Sequence, residues 1–117
     1  MKIKKADIER ILSIIVLYDG PKEVAGLLTE EIPLSLKRRL QKIRTELLNH
    51  HNDLVLQRAE VSEKFKAEDQ KEQLELEMKI LHDEPLEVNQ DPVSLAMIEA
   101  IKTKANYDFE IIELIAS

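Results

Sequence analysis

Two groups of side chains in this sequence are of the types that bind metal ions or move protons. His50 and His51 are adjacent, and His82 is followed directly by Asp83 and Glu84. Two metal ligands on one helix usually stand four residues apart, because neighbouring side chains point about 100° away from each other. No second pair at ligand spacing accompanies either group. We therefore predict no metal and no other cofactor, and we interpret the histidines as surface or interface residues.

A cluster of carboxylates follows the second of these groups. It consists of Asp83, Glu84, Glu87 and Asp91. Paired carboxylates can act as general acid and base or bind divalent cations. Here they surround a predicted loop, with no companion nucleophile, and the chain has no cysteine and no glycine-rich phosphate loop. The sequence predicts no catalytic residues and therefore a protein that is not an enzyme.

A basic run precedes both groups and consists of Lys37, Arg38, Arg39, Lys42 and Arg44. One interpretation is an anion contact, to phosphate or to an acidic protein surface. The other is a solvated helix face in which Lys42 pairs with Glu46, four residues further on. A net charge of −6 and the lack of interleaved aromatic residues make nucleic acid an unfavoured partner.

The basic run lies near the start of a long predicted helix. Residues 36–66 contain neither Gly nor Pro, and their apolar side chains recur at intervals of mainly three and four, the spacing found between packed helices. About 32 residues would make a rod of roughly 48 Å, longer than the roughly 26 Å expected for a compact chain of this length. The rod must project or pack along a partner. Six apolar residues along it are candidate interface residues as a class, and some of the six must be core: Leu40, Ile43, Leu47, Leu54, Val61 and Phe65.

A second helix is predicted at residues 74–81, after a charged turn. The fold class is therefore mainly α: one helical domain over residues 1–117, with an antiparallel long-helix hairpin at about residues 33–82. Shorter helices are predicted at the following places: from Ile8, with Asp7 as N-cap, to the break at Gly20; residues 21–28; residues 93–104; and residues 109–116, capped by Asn106 or Asp108. Short strands are expected near residues 2–5 and 86–88.

Composition restricts the class of protein further. The chain is 44% hydrophobic and 34% charged, which is too apolar for intrinsic disorder. Only four aromatic residues are present, so the core must be aliphatic. The longest apolar run, residues 11–18, is shorter than the about 20 residues needed to span a bilayer, and we expect no membrane partner.

The order of the elements carries a resemblance. The chain starts MKIKKADI, places a proline before a long charged helix in EIPLSLKRRLQKIRTEL, continues with the acidic helix DQKEQLELEMKIL, and ends with LEVNQDPVSL and FEIIELIA. This order is similar to that of a family of small phage-encoded proteins of unknown function. The resemblance implies a phage or prophage structural or assembly protein, cytoplasmic in the host cell or associated with the virion. It implies no catalytic residues.

A long amphipathic hairpin without catalytic groups is typical of an interaction surface. We therefore expect helix-mediated contacts with phage structural proteins or with copies of the chain itself, in a homo-oligomer or a larger complex. Two alternatives remain open. One is a small acidic inhibitor that binds a host defence or regulatory protein. The weaker alternative is a nucleic-acid-binding module that uses residues 37–44.

Overall fold

A helix of 31 residues, α2 (Leu34–Lys64), accounts for most of the length of the molecule. The computed structural model describes residues 1–117, of which 62% are helical, and measures 52 × 30 × 22 Å. At 1.5 Å per residue α2 is about 46 Å long. The radius of gyration is 16.4 Å, whereas a compact chain of this length would have about 13 Å. The mainly helical class and the long rod predicted from the sequence are confirmed.

The other elements are short. The remaining helices are α1 (Ile8–Ile15), α3 (Lys71–Asp83), α4 (Leu95–Glu99) and α5 (Phe109–Ile115), and 3-10 turns occupy Lys5–Asp7, Leu27–Thr29 and Glu68–Gln70. The strands are β1 (Lys2–Lys4), β2 (Leu17–Asp19), β3 (Lys22–Ala25) and β4 (Pro85–Glu87). They form two separate antiparallel pairs, β1 with β4 and β2 with β3. None of the helices combines the length and the apolar character that crossing a bilayer requires.

The strand pair β1–β4 joins the start of the chain to the segment after α3. Ile3 stands opposite Leu86 in the register, and the Val88 N–H donates to the Met1 carbonyl at 2.8 Å. Ile3 and Val88 are both buried. The strand expected at residues 86–88 is therefore present, one residue earlier in the chain.

A β-hairpin follows α1, where the sequence predicted a short helix at residues 21–28. β2 and β3 pair across a two-residue loop in which Gly20 has a φ of +61°. Such loops favour positive φ, which glycine adopts without a steric penalty. After β3, Gly26 has a φ of +111°, and a Cβ there would lie 2.6 Å from the Cα of Val16. The helix prediction is wrong because it interpreted Gly20 as the end of one helix and not as a hairpin turn.

The core is aliphatic, as composition predicts. Nineteen buried apolar residues form one cluster, and no polar or charged side chain is buried. The three helices α1, α2 and α5 supply most of the cluster: Ile8, Ile11, Ile15, Leu36, Leu40, Ile43, Leu47, Leu54, Ile111, Ile112 and Ile115. No residue of α2 after Leu54 is buried. The core therefore covers only the first part of the long helix.

The helix predicted at residues 93–104 is much shorter in the structure. Ser94 caps α4, which ends at Glu99. Beyond it the chain leaves the helix and brings two hydroxyl groups, of Thr103 and Tyr107, to one carboxylate oxygen of Glu30, each at 2.6 Å. These hydrogen bonds hold the pKa of Glu30 below its usual range, while burial and the Glu30 carboxylate raise the pKa of Tyr107. Contacts to a residue more than 70 positions away thus replace local helix formation.

Two predicted helix starts behave differently. The Asp108 carboxylate accepts the backbone N–H of Glu110 at 3.0 Å and caps α5, which confirms the helix expected at residues 109–116. Asp7 precedes α1, but its carboxylate accepts the backbone N–H of Lys4 at 3.0 Å and no amide of the helix. Asp7 therefore fixes the turn between β1 and α1, not the first turn of α1.

Candidate functional site

The apolar residues predicted as a candidate interface separate into two groups. Four of them belong to the core cluster and are at most 1% exposed: Leu40, Ile43, Leu47 and Leu54. The interface prediction is wrong for these four, because their side chains are already covered by the chain itself. Only Val61 and Phe65 keep partly exposed side chains. Apolar spacing alone identifies a buried face but does not identify what covers it.

The second part of α2, together with α3, presents apolar side chains that the sequence did not single out. We call residues 55–83 the distal arm. Within it Val55 is 47% exposed, Leu56 64%, Leu76 57% and Ile80 49%. The sequence contains a pattern that indicates this exposure. Leu76 and Ile80 stand four residues apart and outside the face formed by the other apolar residues of α3. Their positions make the distal arm the most exposed apolar region of the two longest helices.

A polar cluster joins the distal arm to α1. The Arg58 guanidinium donates to Nε2 of His82 at 3.0 Å and also pairs with the Glu9 carboxylate. Nε2 of His51 lies 3.5 Å from the same Glu9 oxygen. The hydrogen bond from Arg58 is the main reason why the pKa of Glu9 is lowered, against a smaller opposing effect of burial. Three helices, α1, α2 and α3, are thereby linked at one place.

The histidines do not gather into a metal site. No three His, Asp or Glu side chains come together in a geometry that could hold a metal ion. His51 and His82 are instead engaged by Glu9 and Arg58, and His50 lies beside Glu46.

The acidic cluster predicted from the sequence is dispersed into separate ion pairs. Glu84 binds the ammonium group of Lys5 at 2.6 Å. Glu87 lies 3.4 Å from the terminal amine of Met1. Of the other two members, Asp91 lies 4.0 Å from Arg39, and Asp83 makes no ion pair.

The five basic side chains at the start of α2 do not act as one cluster either. The Arg44 guanidinium lies over the ring of Tyr18, 5.2 Å from its centroid, and so ties α2 to the β2–β3 hairpin. Arg39 lies 4.0 Å from Asp91. The remaining three side chains are exposed and have no carboxylate partner: Lys37, Arg38 and Lys42.

Glu46, the expected partner of Lys42, holds the loop after β4 instead. Its carboxylate accepts the backbone N–H of Asn89 at 2.8 Å and the side-chain amide of Gln90 at 3.2 Å, and Nε2 of His50 lies 3.2 Å away. Burial raises the pKa of Glu46, but these hydrogen bonds together outweigh it, so that the pKa is lowered. Because Glu46 is engaged in this way, Lys42 is free.

An open groove of about 760 Å³ runs along α2 beside this loop. Its lining is entirely polar: Arg38, Gln41, Lys42, Thr45, Glu46, Asn49 and Gln90. The cations of Arg38 and Lys42 are unpaired, so the groove suits a carboxylate or a phosphate group. It offers no aromatic ring on which a base could stack.

Comparison of the chain with protein-family models, with curated proteins and with solved structures finds no match.

Proposed function

We propose that the protein is a non-enzymatic interaction protein that works through the outer surfaces of α2 and the distal arm. One observation carries the proposal: α2 continues for ten residues beyond Leu54, its last buried residue. This extension and α3 expose four of the nine large apolar side chains that are exposed in the chain: Val55, Leu56, Leu76 and Ile80. Apolar surface that the chain does not cover itself is typical of a protein-binding site.

The proposal also includes the way in which α2 and α3 pack in the distal arm. We propose that α2 and α3 form an antiparallel hairpin, with residues 65–70 at its tip. The contact between Arg58 and His82, side chains 24 residues apart, supports it, since an antiparallel return brings such positions level. Val61 and Met78 both pack against the edge of the core and support the same arrangement.

The specific role that we propose is that of a structural or assembly component of a phage or prophage. The support is the resemblance of the chain, in the order of its elements, to small phage-encoded proteins. A short protein with a projecting helical arm can occupy a repeated position in a particle by helix packing against its neighbours.

The test is capture of partners by the tagged full chain from host cells in which the phage is assembling. We expect capsid, portal or tail proteins at a fixed ratio to the chain. The double variant Leu56→Ser, Ile80→Ser should lose them. Lys79→Gln, an exposed change on the same helix as Ile80, serves as the matched control and should retain them. Equal recovery of those proteins by the wild type and the double variant would contradict the proposal.

A second candidate function is inhibition of a host protein. The distal arm carries eight acidic and five basic side chains, a net charge of −3, and could present carboxylates to a basic groove. Recovery of a single host nuclease or signalling enzyme, without phage structural proteins, would support this candidate. Charge reversal at Glu72 and Glu75, which are exposed on α3, should then abolish its capture.

A further inference from the structure

The side of α2 opposite the core carries a continuous row of exposed side chains. We call this row the outer face: Arg38, Lys42, Thr45, Asn49, Asn52, Leu56, Ala59 and Glu63. Its members are separated alternately by four and three residues, so they lie along one side of the helix. The groove beside Gln90 runs along the first half of this row. No other element of the chain covers it.

Charge is distributed unevenly along the same helix and its extension. Residues 34–54 carry five basic and two acidic side chains, a net charge of +3, whereas residues 55–64 of α2 carry two of each and have no net charge. The positive end contains the unpaired cations of Arg38 and Lys42 in the groove. The other end contains Glu60, which lies beside Ala59 at the edge of the outer face, is exposed and has no ion-pair partner. Each end of α2 therefore carries an exposed charge without an ion-pair partner, positive at Lys42 and negative at Glu60.

The positions of Lys42 and Glu60 on α2 allow their opposite charges to pair between two copies of the helix in one specific arrangement. They are 18 residues apart, which is five complete helical turns, so both side chains point in the same direction about 27 Å from each other along the axis. A two-fold axis perpendicular to α2 and midway between them, near His51, would place each Lys42 opposite the partner's Glu60. The pairing would occur twice, as an isologous interface requires. Glu63 is not assigned a partner because Lys66 already binds it at 2.6 Å.

We propose that this protein forms a two-fold symmetric dimer through the outer face, with the two α2 helices antiparallel. This inference rests on the proposed function and names a second copy of the chain as the partner at that surface. Each groove receives the other copy's distal half of α2. Leu56, 64% exposed in the single chain, lies against Thr45, Asn49 and the methylene stem of Lys42 in the partner's groove.

The composition of the outer face determines how strongly the two copies associate and how that association depends on salt. Two charge pairs at the ends and few apolar residues between them give an association of moderate strength that weakens as salt increases. Association should weaken markedly between about 0.05 M and about 1 M salt, where the Debye length falls to about 3 Å.

The test is sedimentation equilibrium of the full chain over a range from about 10 to about 200 µM at low salt. The wild type should approach twice the mass of the single chain. Lys42→Glu and Glu60→Lys should each weaken the dimer about tenfold, because each places like charges together twice. The double variant Lys42→Glu, Glu60→Lys restores both pairs with reversed sign and should recover most of the affinity.

Lys79→Glu and Glu72→Lys are the matched controls. They make the same charge changes at exposed positions on α3, away from the outer face, and should leave the dimer unchanged. Circular dichroism of every variant should show an unaltered helical content. A wild type that remains a single chain over the whole range would overturn the proposal, as would a double variant no stronger than the single ones.

The outcome also separates this inference from the proposed function. A wild type that does not dimerise but still captures phage structural proteins overturns the dimer and leaves the interaction function in place. A wild type that dimerises with the expected charge-swap behaviour, yet captures no phage or host protein, supports the dimer and contradicts the assembly role.

Discussion

Truncation to alanine should destabilise the protein strongly at one leucine of α2 and hardly at all at another. Leu47 is completely buried and Leu56 is 64% exposed, nine residues later on one helix. Leu47→Ala removes packed methyl groups and leaves a cavity, which costs about 2–5 kcal/mol. Leu56→Ala in the single chain should change stability by less than about 0.5 kcal/mol, since Ala and Leu have similar helix propensities and the site is exposed.

These values convert into melting temperatures that can be measured. The entropy of unfolding is about 2.1 cal/mol/K per residue, or about 0.25 kcal/mol/K for the whole chain. Leu47→Ala should therefore lower the Tm by about 8–20 °C, and Leu56→Ala by no more than about 2 °C. Thermal unfolding followed by circular dichroism at low protein concentration provides the comparison, because association would otherwise add stability. Equal shifts for the two variants would refute the assignment of Leu47 to the core and Leu56 to the surface.

Three further changes probe the positions that hold the fold together. Gly26→Ala should destabilise by more than Gly20→Ala, because only at Gly26 does the added Cβ meet backbone atoms, at 2.6 Å; equal losses in urea unfolding would contradict this. Glu46 has a lowered pKa, so its contribution to stability is present above the usual glutamate pKa of about 4.3 and is lost as the pH falls through the lower folded value. Glu46→Gln should consequently reduce stability at pH 7 and flatten the acid part of a stability–pH profile, and an unchanged profile would argue against the role of Glu46. Asp108→Ala should cost about 0.5–2 kcal/mol through loss of the α5 cap, with Asp108→Asn as the conservative control that retains most of it.

The long helix could be predicted because its signals are local and repeated. It contains no Gly or Pro, and its buried residues recur from Leu36 to Leu54 at helical spacing. The cap of α5 by Asp108 is also local, and Asp108 was one of the two caps predicted, with Asn106 as the other. In each case the residues that decide the structure lie within a few positions of each other.

The errors lie where distant residues decide the structure. Gly26 needs its positive φ because the backbone of Val16 passes against it, and no local pattern records that approach. The helix after Ser94 stops early because Thr103 and Tyr107 bind Glu30. Such contacts override helix propensity, which is a weak preference.

In the candidate site, too, local features could be predicted from the sequence and contacts between distant residues could not. The sequence identified the cations of the groove by their types, and one of its two interpretations paired Lys42 with Glu46, four residues away. In the structure the Glu46 carboxylate accepts hydrogen bonds from Asn89 and Gln90, more than 40 residues further on. Lys42 is therefore left without an ion-pair partner. The exposed side of α2 could not be assigned from spacing alone, since the buried side has equally regular spacing.

The most direct test of the account is site-specific photo-crosslinking of the full chain in cells where the phage is assembling. A photoreactive phenylalanine analogue is placed at Leu56 on the outer face and, as a control, at Glu113, an exposed position on α5. We expect Leu56 to crosslink to a second copy of the chain or to a phage structural protein, and Glu113 to give no such product. A crosslink from Glu113 with none from Leu56 would contradict the claim that α2 forms the interaction surface of this protein.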